Sequence, residues 1–355
     1  MSGTSLDGVD VALVGFAEDS IQLQGTYFKA YPPALKDALL TLHHPTHDEL
    51  NLTQLISNEL ARLYAAATAT LLQKTGISST RIRAIGCHGQ TLRHQPGLGY
   101  TLQLGNAALL AELSGITVVS DFRSRDIAAG GQGAPLVPAF HERMMRHVHN
   151  HRVIVNIGGI SNLTDLAPGR VATGFDCGPG NLLMDAWIAR HQAVAYDRDG
   201  AWAASGAVLP ALLHKLMQEP FLRASPPKSC GRDLFNLAWL DKQLQGDEPP
   251  QDVQATLLAF SAQAVADAVT RHCSGAQEIY LCGGGAHNHA LIEHLCAAMP
   301  GLSVQPTDTL GMPGDWLEAI TFAWLARQAI HTEPTDLCAV TGARHPCILG
   351  AIHQA

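Results

Sequence analysis

Three glycine-rich turns, each beside a short apolar run, constrain this chain most. They are Ser2-Gly3-Thr4-Ser5-Leu6-Asp7-Gly8 at the N-terminus, Asn156-Ile157-Gly158-Gly159-Ile160-Ser161-Asn162 in the middle, and Cys282-Gly283-Gly284-Gly285-Ala286-His287-Asn288 late in the chain. Without a Cβ, such a turn lets backbone N–H groups approach phosphate oxygens closely. One turn of this kind fits any tight reversal after a buried strand. Three, spread over 355 residues, point to a nucleotide phosphate chain gripped from two sides. None is a Walker loop, because no Gly-Lys-Ser follows.

The runs around the turns predict alternating strands and helices. Val9 to Phe16 and Ile21 to Phe28 form a strand pair, and the apolar spacing from Leu50 to Gln73 predicts a long helix. Short strands follow at Ile82 to Gly86 and Ile116 to Val119, with a helix from Ala107 to Leu113 between them. A second set opens at Arg152 to Ile157, with Leu163 to Leu166 as a hairpin partner. Helices are expected at Asn181 to His191, Asp252 to His272 and Trp316 to Ile330, and a strand at Ile279 to Cys282. This alternation implies a mainly parallel sheet with helical crossovers. Gly3-Thr4-Ser5 and Gly159-Ile160-Ser161 are each followed by a short apolar strand. That faint internal repeat suggests two related lobes sharing a ligand cleft.

Composition excludes several function classes. Hydrophobic residues make up 46% and charged residues 15%, which describes a compact globular protein. A net charge of −8 argues against nonspecific binding to nucleic acid or anionic membrane. The eight cysteines form no CxxC pair and read as reduced, mostly buried thiols. There is no apolar run of membrane-span length and no signal-peptide pattern, so the expected compartment is the cytoplasm. His43, His44 and His47, and the alternating His147, His149 and His151, read as solvated or hydrogen-bonded side chains, not metal ligands.

Four longer motifs carry a family resemblance. Met1 to Asp10, Cys87-His88-Gly89-Gln90-Thr91, Asp121 to Asp126 running on to Gly130–Leu136, and Gly174-Phe175-Asp176-Cys177-Gly178-Pro179-Gly180-Asn181 resemble the anhydro-N-acetylmuramic acid kinases. The likeness runs the full chain in order, through Leu281–Asn288. It implies an α/β fold of two duplicated lobes, of the actin-like ATPase (ribonuclease H-like) type, closing over ATP in an interlobe cleft. The expected N-terminal lobe is 1–130 completed by 340–355, and the C-terminal lobe is 131–339. Members carry an apolar first strand ahead of the Met1–Gly8 stretch. Either the true start lies upstream or the central strand is truncated; a missing central strand would leave neighbouring backbone groups unpaired, at about 1–3 kcal/mol for each buried group.

The resemblance also implies roles. Gly3, Thr4, Ser5, Leu6, Asp7, Gly8, Val9 and Asp10 would contact ATP, as would Gly158, Gly159, Gly283, Gly284, Gly285 and Asn288. Asp7 and Asp10 suit Mg²⁺, directly or through water; Asp10 points into a strand and is open to a structural role. Asp176, on a turn before a helix, would be the general base, although a carboxylate there can also cap the helix. It would take a proton from water attacking C1 of the 1,6-anhydro sugar. The released O6 would then attack the γ-phosphate of ATP.

Gln90, Arg123, Asp126 and Glu318 would contact the sugar. Arg123 suits its lactyl carboxylate, and His88 reads as an orienting residue. Arg123 and Arg125 with Asp121 and Asp126 could equally be a surface ion-pair cluster. Glu318 could equally form a capping box with Asp315. Gly130–Gly133 fits a hinge or a close approach to ligand. The resemblance implies a homodimer. The rivals are another kinase of the superfamily and an ATP-switched actin-like or Hsp70-like binding protein.

Overall fold

The computed structural model describes residues 1–3, 6–17, 20–43, 47–232 and 234–355. In chain order the elements used below begin with β1 (Gly8–Ala17), β2 (Ser20–Ala30), α1 (Pro33–Leu42), α2 (Glu49–Thr75), β3 (Ile85–Gly86), β4 (Gln90–Gln95), β5 (Tyr100–Leu104), α3 (Ala107–Ser114) and β6 (Val118–Ser120). They continue with β7 (Arg152–Ile157), β8 (Ile160–Leu166), β9 (Thr173–Pro179), α4 (Leu182–Gln192), α5 (Pro250–His272), β10 (Glu278–Cys282), α6 (His289–Ala298), β11 (Ser303–Pro306), α7 (Leu317–Ile330) and β12 (Ala351–His353). No helix among the described residues is long and apolar enough to cross a membrane. All eight cysteines are free thiols, five of them buried.

The chain divides into two compact units, Met1–Phe140 with Trp316–Ala355, and His141–Asp315. The expected boundaries at 130 and 340 therefore move. The physical reason is α7, which packs on β1, β3 and β6 and so belongs to the first unit.

In the first unit β1 and β2 pair antiparallel from Gly8↔Ala30 to Ala17↔Ser20, with a bulge at Leu13/Val14. A three-stranded sheet runs β12-β6-β3, and β4 and β5 form a separate antiparallel pair. The β4–β5 hairpin, α1 and β12 were not expected from the apolar spacing. α2 buries Ile56, Leu60, Leu63, Tyr64, Ala67 and Leu71 at helical intervals and stops at Gly76, whose φ of 69° suits a residue without a side chain. With Leu35, Leu39, Leu104, Leu110 and Val118 these residues form one core.

β1 and β3 are edge strands of their sheets. A cavity of about 400 Å³ is lined by both strands and by α2 and α7. Met1 runs along the open edge of β1: its amino group donates to Asp10 O at 2.7 Å, and Asp10 N–H donates to Met1 O at 2.8 Å.

The second unit holds a five-stranded sheet in the order β11-β10-β7-β8-β9. β11, β10 and β7 are parallel, while β8 and β9 join antiparallel. The sheet is thus mixed, not mainly parallel, because the Gly158-Gly159 turn is too short for any crossover and returns the chain as a hairpin. α5 is buried nearly all round, including Val253, Leu257, Leu258, Phe260, Ala264, Val265 and Val269, which suits a helix at the centre of a core. The hairpin β8–β9 followed by α4 parallels β1–β2 followed by α1 and α2, the architecture expected of duplicated α/β lobes.

Candidate active site

In the second unit the glycine turns meet at the C-terminal ends of neighbouring parallel strands, where α/β sheets place their ligands. β7 delivers Gly158-Gly159 and β10 delivers Gly283–Gly285. The start of α4 closes the set: Gly180 N–H donates to Gly159 O at 2.8 Å and Asn181 N–H to Gly158 O at 2.8 Å. A Cβ on Gly180 would stand 2.3 Å from Gly158 O, and one on Gly283 would stand 2.3 Å from Asn156 Oδ1. Gly283 also has a φ of 78°. A Cβ on Gly285 would meet the Ile157 side chain at 2.2 Å, whereas one on Gly284 would find nothing nearer than Asn181 Nδ2 at 3.8 Å. Asn288 lies beyond the turn and caps α6, its Oδ1 accepting from Leu291 N–H at 3.0 Å.

Asp176 sits on β9, not on a turn, opposite Asn162 beside a bulge. It caps no helix. The helix starts at Leu182 after Asn181, which makes no side-chain cap bond. Asp176 Oδ2 instead accepts from Cys230 N–H at 2.9 Å, and its own N–H donates to Lys228 O at 3.2 Å. Oδ1 has no hydrogen bond among the described residues. Burial pushes the carboxyl up to about 6, against the opposing pull of the Cys230 N–H and the Lys228 charge. A partly exposed carboxyl at that value exchanges protons readily near neutrality. Further along, Asp185 in α4 is lifted by burial to about 7.

In the first unit a polar network surrounds the opening turn. Ser2 Oγ donates to Gly89 O at 2.9 Å and accepts from Tyr64 Oη at 3.0 Å. Gln90 Nε2 donates to Gly3 O at 3.0 Å while its Oε1 accepts from Tyr31 Oη at 3.0 Å. Gln90 is 1% exposed, so its amide holds the turn from behind. Asp7 is exposed, and Val9 is buried with Leu6. Thr4 and Ser5, expected at the phosphates, lie outside the described residues.

Arg123 links the parts of this network. Its Nε and Nη2 reach His88 Nε2 at 3.2 and 2.9 Å, and its Nη1 donates to Gly133 O at 2.7 Å. His88 Nδ1 faces Ser2 O at 3.3 Å, which sets the Nδ1–H tautomer with Nε2 accepting. Burial and the Arg123 charge hold His88 well below its ordinary value, so it stays neutral and orients its neighbours. Burial lowers Arg123 to about 10, with Glu318 and Asp126 countering, which leaves it cationic at neutral pH.

Asp126 is 1% exposed, and both oxygens are engaged: Oδ2 accepts from Gly133 N–H at 2.7 Å and Oδ1 from Thr341 Oγ1 at 2.8 Å. It works inside the wall. A Cβ on Gly131 would stand 2.2 Å from Asp126 Oδ2, so the close approach made by this glycine stretch is to Asp126. The surface ion-pair cluster does not form, and neither does the capping box. α7 has no side-chain cap, and Asp315 Oδ1 pairs with His287 Nε2 at 2.6 Å. The Glu318 charge acts on Arg123.

Sequence reasoning missed Tyr31, Tyr64, Thr341 and Lys228. Nothing local marks them, because each reaches its partner across many residues of chain.

The family profile described as "Anhydro-N-acetylmuramic acid kinase" matches residues 1–355. Curated proteins of that name from Thiobacillus denitrificans and Nitrosospira multiformis are 58% and 54% identical to this chain. Both alignments cover 100% of this chain, and they cover 96% and 98% of those proteins. The like-named protein of Nitrosomonas europaea is 52% identical, over 100% of this chain and 98% of its own length. By its full-length match, this chain belongs to the anhydro-N-acetylmuramic acid kinase family.

Proposed function

We propose that this chain is an ATP-dependent kinase that opens 1,6-anhydro-N-acetylmuramic acid with water and phosphorylates O6 in the same site. The product would be N-acetylmuramic acid 6-phosphate, a step in recycling bacterial cell-wall sugar. The observation that carries the reading is Asp176: one oxygen fixed by Cys230 N–H, the other open, and a carboxyl lifted to about 6. This is a base poised to work near neutral pH.

In this reading Asp176 takes a proton from the water that attacks C1. The C1–O6 bond breaks, and O6 takes the γ-phosphoryl group, so ADP leaves as the anhydro bridge opens. Water supplies the new C1 hydroxyl. The phosphoryl group stands where a glycosidase would place the acid that protonates the leaving oxygen. The glycine turns offer backbone N–H groups to the phosphates, and phosphoryl transfer asks for such positioning more than for covalent help. In the first unit Arg123, braced by His88 and facing the charges of Glu318 and Asp126, keeps the cation that suits a carboxylate.

Mg²⁺ suits carboxylate donors of the kind found here. Asp7 and Asp10 offer hard oxygens, and Mg²⁺ is ordinarily held by one or two carboxylates plus phosphates and water. Bound there, it would neutralise phosphate charge. A cytoplasmic homodimer remains part of the proposal.

The test is a phosphotransfer assay with the anhydro sugar, ordinary sugars and ¹⁸O-water. The expected result is ATP turnover stimulated by the anhydro sugar, with label at C1 of the product. Phosphorylation only of ordinary sugars, with no label at C1, would assign the chain to the rival kinase class; label in the phosphate would mean that water attacks ATP directly and would contradict the mechanism. Turnover indifferent to every sugar would favour an ATP-switched binding protein.

A further inference from the structure

Asp176 is gripped twice by a segment that no motif announces. Its N–H donates to Lys228 O and its Oδ2 accepts from Cys230 N–H, so residues 228–230 run along the outer edge of β9. What holds that segment in place is the Lys228 side chain, which turns back into the unit. Its Nζ donates to Phe221 O at 3.0 Å and Leu222 O at 3.1 Å. It also lies 4.8 Å from the ring centre of Phe221 and 5.7 Å from that of Phe175, the residue before Asp176. Two carbonyls and two ring faces make a tight cation seat. One element thus fixes the backbone, one carboxylate oxygen and the local charge at Asp176.

The other titratable groups facing this corner are accounted for. The Cys177 thiol is driven far up by burial, with the Asp176 charge adding to it, and so stays neutral. Cys230 carries the N–H that binds Asp176. From α5, Arg271 donates to Leu222 O at 3.4 Å, and His272 is held down by burial and by the Lys228 and Arg271 charges. Cys273 is pushed up beyond its ordinary range by burial. Lys228 is the group whose charge acts on Asp176 itself.

We propose that Lys228 is the positioning residue for Asp176: it anchors the 228–230 segment so that Cys230 fixes Oδ2 and Oδ1 alone is presented to the reacting water. The proposal rests on the reading of Asp176 as base, and it is tested by a readout that does not need turnover.

The experiment titrates the Asp176 carboxyl carbon by ¹³C NMR in the full chain. The signal is assigned by its absence in Asp176→Asn. Lys228→Met keeps the aliphatic stem and removes the charge. Lys228→Gln keeps a donor for the two carbonyls and serves where the Met variant does not fold. In either folded variant the midpoint should rise by at least about 0.5 unit, since a nearby cation favours the ionised form. In parallel, kcat should fall about tenfold with the KM for ATP little changed, and the acid limb of the rate profile should move up by the same amount. Lys228→Arg, which keeps the charge, should hold the midpoint near its starting value. A midpoint unmoved in a folded Met or Gln variant overturns the proposal. Failure of the base reading looks different: full turnover in Asp176→Asn, with the Lys228-dependent midpoint shift intact.

Discussion

Asp176 faces two opposing demands. Burial disfavours its charge, yet a base must be ionised to accept a proton. The compromise is a carboxyl near 6, held down from higher values by one backbone N–H and one lysine. Activity should therefore be present above pH 6 and fall about tenfold per pH unit below it, because the protonated acid cannot accept another proton. Asp176→Asn should fold normally and lose at least about 100-fold in kcat.

The sign of the stability effect follows from the same shift. A folded value raised above the unfolded one gives stability that is full at low pH and lost as pH rises through about 6. At pH 7.5 the ionised carboxylate is a burden to the fold, and Asp176→Asn should melt no lower than the parent. A kinetic profile set beside thermal melts at pH 5 and 7.5 checks both statements. An Asn variant that is active, or one that melts several degrees lower, would move Asp176 from chemistry to structure.

At the scale of elements, the turn after β10 shows which glycines are obligatory. Gly283 combines a φ of 78° with a hypothetical Cβ 2.3 Å from Asn156 Oδ1, while Gly284 has room on every side. Gly283→Ala should cost about 2 kcal/mol, a drop of roughly 4–8 °C in melting temperature for a unit of this size, and should weaken ATP binding. Gly284→Ala is the matched control and should leave the melting temperature within about 1 °C. Equal effects from the two would mean that the β7 and β10 turns do not pack as described.

Elements also separate what apolar spacing reveals from what it hides. α2, α5 and α7 were legible because each repeats large apolar residues at helical intervals over two turns or more. The β4–β5 hairpin was not. Its strands are short, and residues such as Thr91, His94, Thr101 and Gln103 pair through polar side chains instead of displaying an apolar face.

At the scale of the whole molecule, the two units differ in how the chain builds them. His141–Asp315 is continuous and holds its own sheet and core around α5. The first unit needs Trp316–Ala355, because α7 packs on β1, β3 and β6 and β12 pairs with β6. A fragment of residues 141–315 should therefore unfold cooperatively on its own, whereas residues 1–140 should not. Joining 1–140 to 316–355 should restore a cooperative transition. Circular dichroism melts of the three pieces decide this; a cooperative transition in 1–140 alone would contradict the role given to α7.

The order of residues along the chain was enough to determine strands such as β1, β2, β7 and β10, the long helices, the glycine turns after β7 and β10 and the family, since these depend on neighbours in sequence and on spacing. Tertiary structure alone decided that Gln90 and Asp126 turn inward, that Glu318 answers Arg123 and not a helix end, and that Lys228 stands behind Asp176. Hydrogen bonds and charges act through space over a few ångströms, and residues as far apart as Asp126 and Thr341 meet only once the chain has folded.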